Sequence, residues 1–477
     1  MSGRMNQQVV LAETAPDRRN QWSIMTTGAM FLSVFLLAGG GAIHTSVVAL
    51  RAEIEGFAPF VIGLTMSAFF LGYLLGTTVA PPLLRSVGYT RTFAGFATIG
   101  SAAALGHLLV IEPIPWLILR VIHGLCTAAM LVVVESWMNR STPRGMCGRV
   151  FTLYSLVYLG SMGAGQPLLG VFGVERFEIF VVVSIIISMS LIPVTLSKID
   201  EAPPSPTARM SLPQVVSATP FASAGIFVSG VLTGVLSSLG ALYAYKAGLD
   251  YTQVGLFMAA ISAGAIISQF PVGLLSDRFD RRTIVVALSG VGILSSATLF
   301  AGSAFEPNVL LTVAVLVGAS TMPMYSLCLA HAHDAFAPDE MVKAAGAFVT
   351  LYAAGSMVGP AVSGTLMEMA GHEGIIITLV LTQLLFVAYA GRKMERLSLR
   401  SSAGSTHRFH PYPRTTAAAF GLLRRTTRNE GRRTKFVYRN AEAEVTLVDN
   451  ATSDSDTVSW QVPGTDRDFD HNRRRGA

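Results

Sequence analysis

Gly273-Leu-Leu-Ser-Asp277-Arg278-Phe-Asp280-Arg281-Arg282 is the stretch on which the reading of this chain turns. Two acids and three bases stand within ten residues, with an apolar run over 253–275 before them and another over 283–303 after. Each run is long enough to cross about 30 Å of hydrocarbon as a helix. The charged cluster therefore reads as the loop that turns one membrane span into the next, and its ion pairs can lock two helix ends together.

The rest of the chain repeats this alternation. Of 477 residues, 51% are hydrophobic and 13% charged, against roughly 25% charged in soluble domains, so a water-soluble fold is excluded. Apolar stretches fall near 24–48, 59–81, 93–112, 115–137, 149–172, 177–197, 220–244, 253–275, 283–303, 308–331, 343–368 and 374–391. Open loops and sheet edges do not survive in hydrocarbon, so the expectation is an all-α membrane protein of twelve transmembrane helices. The N-terminus carries Glu13 and Asp17 and lacks the apolar core of a cleavable signal, which leaves the first span as the insertion signal. Cys126, Cys147 and Cys328 form no disulfide or metal-ligand pattern.

The polar, proline-rich SKIDEAPPSPTARMSLPQ begins at Ser197 and divides the apolar region near its middle, with no strong helix expected in it. On either side the chain repeats itself: Gly160-Ser161-Met162 with Pro167 recurs as Gly355-Ser356-Met357 with Pro360, each behind a tyrosine, Tyr158 and Tyr352. With the N-terminus inside, the inner loops hold Arg85, Arg91, Arg140, Arg144, Arg149, Lys198, Arg209, Arg278, Arg281, Arg282 and Lys343, against Arg51, Arg176 and Lys246 outside. The positive-inside rule places both termini in the cytoplasm. Before Arg392 there are 18 Lys+Arg against 19 Asp+Glu, and from Arg392 onward 17 against 10. The organisation expected is a cytoplasmic N-terminus (1–23), a six-helix half (24–197), a cytoplasmic loop (198–219), a second six-helix half (220–391) and a disordered basic tail (392–477).

The loop at 273–282 resembles the G-x-x-x-D-R-x-G-R-R element of the major facilitator superfamily. Its first-half counterpart, Gly76 to Arg91, is similar but has Arg85 where the family carries an aspartate. Arg120-Val-Ile-His123-Gly124 is similar to the family's R-x-x-x-G element, and Gly160-x-x-Gly163-x-Gly165-Gln166-Pro167-x-x-Gly170 to its glycine-proline element, with Gln166 where antiporters have glycine. Glu135-Ser-Trp137 and Met322-Pro-Met-Tyr325-Ser look like a little-characterised bacterial branch of that family which includes riboflavin uptake carriers. The resemblance covers 24–391. It implies two six-helix halves that rock about a central site, and a gating loop of Gly273, Asp277, Arg278, Arg281 and Arg282 whose ion pairs break as they do.

An ionisable side chain inside the bilayer costs at least about 2.5–3.5 kcal/mol, which makes it a functional candidate. Arg120 and His123 share a helix face by their spacing. Arg120 either holds an anionic or carbonyl-rich substrate or ties a neighbouring helix; His123 either carries a proton or packs as a neutral ring. His44 follows Gly39-Gly-Gly41 and is equally suited to substrate contact or to helix packing, whereas His107 reads as structural. Glu135 reads as an inner-gate residue within reach of Arg140 and Arg144, with Asp334 as its second-half counterpart. Tyr158, Tyr243, Tyr245, Tyr325 and Tyr352 lie in spans expected to face the centre, and with Gln166 and Arg120 can wall a planar heterocycle.

No nucleotide-binding glycine loop, metal motif or nucleophile elbow appears. The expectation is thus a non-enzymatic, gradient-driven carrier in a bacterial inner membrane, monomeric, without cofactor or nucleic-acid partner, with a small-molecule substrate and a coupling ion. Riboflavin uptake is its specific form. The alternatives are a proton-coupled drug or metabolite exporter and a non-transporting receptor or scaffold that signals through its tail.

Overall fold

A computed structural model describes residues 24–142, 146–197, 210–336 and 338–397, with strand segments at 437–439, 442–446 and 457–458. The N-terminal 23 residues, Arg144, Lys198 and Arg209 lie outside the described residues, as does most of the tail. Three short strands, Val437–Arg439, Glu442–Thr446 and Thr457–Val458, pair antiparallel within a second unit, Thr426–Ala477.

Among the described residues, ten helices are long and apolar enough to cross a membrane. Two further helices, Tyr89–Gly106 and Cys147–Ala164, stand at the places of spans three and five. Prolines open several spans, among them Pro59, Pro113, Pro220 and Pro307, where a missing N–H costs nothing. Asp250 caps span eight (Tyr251–Arg278): its carboxylate accepts from the Gln253 backbone N–H at 2.9 Å, and the Gln253 side chain accepts from Asp250 N–H at 3.1 Å. Within the charged loop, Asp280 accepts from Arg282 N–H at 3.0 Å and so starts span nine (Arg281–Thr298).

Several expected boundaries are corrected. Span three ends at Gly106 rather than 112, and span two runs through Pro81 and Pro82 to Val87 before turning at Gly88, whose φ of 87° suits glycine. Span five is helical to Ala164, and a short helix, Leu168–Phe172, follows beyond Pro167. Span ten breaks at Met322-Pro323 into Pro307–Thr321 and Met324–His333, because proline supplies no N–H to the preceding turn. The central loop contains a helix after all, Leu212–Ala218, begun where the Gln214 side chain accepts from Ser211 N–H at 3.0 Å.

Helices that gain nothing from mutual apolar burial must associate through close packing. Here glycine supplies it. A Cβ on Gly72 would stand 1.9 Å from the Val121 carbonyl oxygen and one on Gly124 2.0 Å from that of Phe69, so spans two and four (Pro113–Ser141) touch backbone to backbone. Spans eight and ten repeat the arrangement: Gly264 meets Val315 O at 2.0 Å and Gly318 meets Ile261 O at 2.0 Å. Spans one (Ile24–Ile54) and five meet at Gly39 and Ser161, and spans seven (Pro220–Lys246) and eleven (Pro338–Ala370) at Gly234 and Ser356. The sequence repeat is thus a repeat of helix contacts.

The halves meet one another mainly through spans two and eleven, one and seven, and five and eight. At the end of the bundle that carries the first loop, Gly63 packs on Pro360 and Gly364, Gly255 on Gln166, and Gly170 on Thr252. Polar contacts cross there too: Lys246 pairs with Glu53, Tyr251 Oη donates to Glu175 Oε1 at 3.3 Å, and Phe60 N–H donates to Glu368 Oε1 at 3.4 Å.

Gly72→Val and Gly264→Val should each lower the midpoint of thermal unfolding in detergent by the equivalent of at least ~1–3 kcal/mol through overpacking. Gly95→Ala, where a Cβ meets nothing within 4 Å, should be neutral or stabilise by up to about 1 kcal/mol.

Candidate functional site

Between the halves lies a group of tyrosines. Tyr73, on span two, interacts electrostatically with Tyr158 and Glu135 of its own half and with Tyr352 and Tyr325 of the other. The Tyr325 and Tyr352 rings meet edge to face with centroids 5.0 Å apart, and Tyr154 and Tyr158 lie 6.4 Å apart. Glu135 is buried and accepts a hydrogen bond from Tyr154 Oη at 2.6 Å. Of the expected residues, Tyr325 thus meets Tyr352, and Tyr158 lies beside Tyr154, which bonds to Glu135. Tyr73 and Tyr154 were not expected here. The signal for Tyr73 was its position between Gly72 and Gly76, whose packing against span four fixes which way the helix faces.

A second polar cluster lies within the first half. His44, His107, Arg120 and His123 are all essentially inaccessible. The His44 ring centroid stands 4.3 Å from that of His123 and 5.0 Å from that of His107. Arg120 lies 4.7 Å above the Phe69 ring and donates weakly through Nη2 to Thr45 Oγ1 at 3.5 Å and Met66 Sδ at 3.8 Å. The shared face expected of Arg120 and His123 is present, since Phe69 touches both. His107, read as structural, packs against His44 from the end of span three, which lies along spans four and six.

Other expected residues are occupied with holding helices. Gln166 accepts from Ser46 Oγ at 3.0 Å and packs against Gly255. Tyr243 donates to the Leu299 carbonyl at 2.7 Å inside the second half, and Tyr245 stacks on Tyr251 at 5.7 Å. In the charged loop, Arg281 is buried and donates to Asp334 Oδ2 at 2.8 Å and to the Ala330 carbonyl at 2.6 Å. Arg282 donates to His331 Nε2 at 3.2 Å. These bonds tie the start of span nine to the end of span ten, both in the second half, and pair Asp334 with the 273–282 loop. Gly273 is buried in span eight, while Asp277 and Arg278 are exposed at its end. Among the described residues, no group of three or more His, Cys, Asp or Glu side chains is placed to hold a metal ion, and the three cysteines are free and buried.

Residues 30–360 and 221–428 match the family model of the Major Facilitator Superfamily. The chain is 24% identical over 357 residues, 74% of its length and 92% of the relative's, to an uncharacterized transporter of this type, YE1530, from Yersinia enterocolitica. It is 25% identical over 350 residues, 72% and 90% of the two lengths, to the uncharacterized transporter YcaD of Escherichia fergusonii. Among solved structures, a variant of the nucleoside transporter NupG superposes with a TM-score of 0.64 at 13% identity, covering 79% of this chain and 99% of that one. A bacterial homologue of the human lysosomal transporter Spinster, in an inward-facing and unoccupied conformation, gives 0.56 at 14% identity over 86% and 98%. With ten apolar spans, two like halves and this match over most of its length, the chain belongs to the Major Facilitator Superfamily and is a multi-pass membrane transport protein with a small-molecule substrate, not an enzyme.

Proposed function

We propose that this carrier imports a small solute in which a planar nitrogen heterocycle is joined to a hydroxyl-bearing chain or ring, with riboflavin as the specific candidate. The observation that supports this reading is the pair of tyrosine groups, Tyr325 with Tyr352 in one half and Tyr154 with Tyr158 in the other, the latter bonded through Tyr154 to the buried Glu135. Aromatic faces stack on a heterocycle, while phenol hydroxyls and a carboxylate accept from ring N–H and sugar-like hydroxyl groups. A nucleoside, the solute of the structurally similar transporter NupG, belongs to the same chemical class.

The site lies where the two halves meet, so rocking one half against the other exposes it to either side in turn. At the first-loop end the halves are drawn together by Gly63, Gly170 and Gly255 and by the Glu53–Lys246 pair; these contacts part when that end opens. With eleven basic residues in one set of loops and three in the other, both termini face the cytoplasm of a bacterial inner membrane and the glycine-packed end faces outward. A chemical gradient drives the cycle, the chain acts as a monomer, and the ion pairs of the 273–282 loop hold the inner end of the second half rigid as it moves.

Expressed in a bacterium that cannot make riboflavin and lacks its own carrier, the protein should support growth and saturable uptake of labelled riboflavin, with uridine tested as competitor. No uptake of either compound at confirmed membrane expression would discard this substrate class. Tyr352→Ala and Glu135→Gln should lower uptake on the order of tenfold or more, as expected for loss of one buried polar contact. Tyr243→Phe, which removes only the bond to Leu299, should spare transport and cost about 1 kcal/mol of stability. Gly63→Val should trap the carrier open at its outer end, giving normal membrane insertion with transport near background, whereas Lys246→Gln, at an exposed pair worth under about 1 kcal/mol, should leave stability almost unchanged.

A further inference from the structure

The buried histidines and Arg120 take no part in the tyrosine site, and their surroundings belong wholly to the first half. Span one gives His44 and Thr45, span two Met66 and Phe69, span three His107, span four Trp116, Arg120 and His123, and span six Phe180. Arg120 Nε and Nη1, both ring nitrogens of His44, and Nε2 of His107 and of His123 are buried without a hydrogen-bond partner. Among the described residues no carboxylate pairs with Arg120. A buried guanidinium without a counter-charge is destabilising by several kcal/mol, and so many orphaned polar atoms in one place mark a ligand rather than packing.

The internal repeat shows that the fold does not need them. A Cβ on Gly124 or on Gly318 would stand at the same 2.0 Å from a carbonyl of the paired span, and Gly39 and Gly234 pack on the carbonyls of Ser161 and Ser356. Counting from these matched glycines, Arg120 corresponds to Ala314, His123 to Val317 and His44 to Leu239, all three buried. The second half closes the same helix junctions with apolar side chains.

We propose that His44, His107, Arg120 and His123 form a site for a small monovalent anion of chloride size, held inside the first half. One guanidinium with neutral imidazoles carries a single positive charge, which a monoanion balances and a dianion overshoots. Ring centroids 4.3–5.0 Å apart and enclosure by five spans of one half exclude a bulky organic solute. The histidines add a pH dependence. A carbonyl can only accept, so the Nδ1 of His107 facing Ala103 O at 2.9 Å carries the hydrogen, as does the Nδ1 of His123 facing Gly100 O at 3.4 Å. Each neutral ring then presents a bare Nε2, which becomes a donor only by taking a proton. The titratable or charged groups facing His44 are His107, His123 and Arg120, while spans two and six contribute only Met66, Phe69 and Phe180. With the rings neutral the guanidinium alone balances the anion; a ring that gains a proton adds a donor and a further positive charge beside it, so affinity rises as pH falls, by at most about tenfold per pH unit.

The test is thermal unfolding of the purified full-length protein in sodium chloride against sodium gluconate at equal ionic strength, near pH 5.5 and pH 7.5. Chloride should raise the midpoint saturably, with half-saturation at lower chloride at the lower pH. Arg120→Ala and His44→Leu, which copy the residues of the second half, should remove the difference between the salts. Equal midpoints in the two salts at both pH values overturn the proposal, as does a chloride effect that the variants retain. Should neither variant fold, crystals of the unaltered protein grown in bromide decide: an anomalous peak beside the Arg120 guanidinium supports the site, and a cluster without one overturns it.

Discussion

Lipid tails are as apolar as leucine, so a helix in the bilayer gains no hydrophobic energy by leaving lipid for another helix. What remains is dispersion at short range, and that is available only where two backbones can approach. In this protein the largest helix pairs within each half are built on such an approach. Gly72 and Gly124 bring spans two and four together, Gly264 and Gly318 do the same for eight and ten, and Gly230, Gly234, Gly355 and Gly359 join seven to eleven through carbonyls of the facing helix. Among the described residues, glycines inside the helices serve mainly such contacts, while Gly56, Gly88, Gly173, Gly248 and Gly371 serve turns.

The same device serves two purposes. Inside a half, the glycine contacts are reciprocal, each helix offering a glycine to the other's carbonyl, which fixes depth and rotation together. Between the halves they gather at the first-loop end and are mixed with exposed polar links such as Glu53–Lys246 and Tyr251–Glu175. Exposed pairs of this kind contribute little. The interface between halves is thus well matched in shape yet lightly held in energy, as a surface that must part and re-form in each transport cycle requires.

The two halves differ where function is expected to differ. They share their glycine contacts, yet the first half buries His44, Arg120 and His123 where the second has Leu239, Ala314 and Val317 at the corresponding positions of spans one and four. The second half, in turn, carries the complete charged loop, with Arg281 buried against Asp334, while the first has Arg85 exposed in the matching place. Polarity is concentrated at the core of one half and at the rim of the other.

The sequence by itself determined the class of fold, the number and order of apolar segments, the point of division and the repeat, because each depends on local properties: run length against bilayer thickness, proline and charge in loops, and matching tripeptides. It also marked Arg120, His123, Glu135 and the interfacial tyrosines Tyr158, Tyr325 and Tyr352, since polar groups at membrane depth are conspicuous in a one-dimensional reading. Only the tertiary structure decided which of these belong together. Helix rotation is set by where glycines meet carbonyls of a distant segment, so no spacing within one span could turn Tyr73 toward Tyr352, place His107 against His44, give Asp334 to Arg281, or withdraw Tyr243 and Gln166 into helix contacts. The break at Met322-Pro323 and the extension of span two through Pro81 and Pro82 were decided in the same way: the same residue ends a helix in one place and is carried through it in another, according to what the neighbouring helices offer the freed backbone.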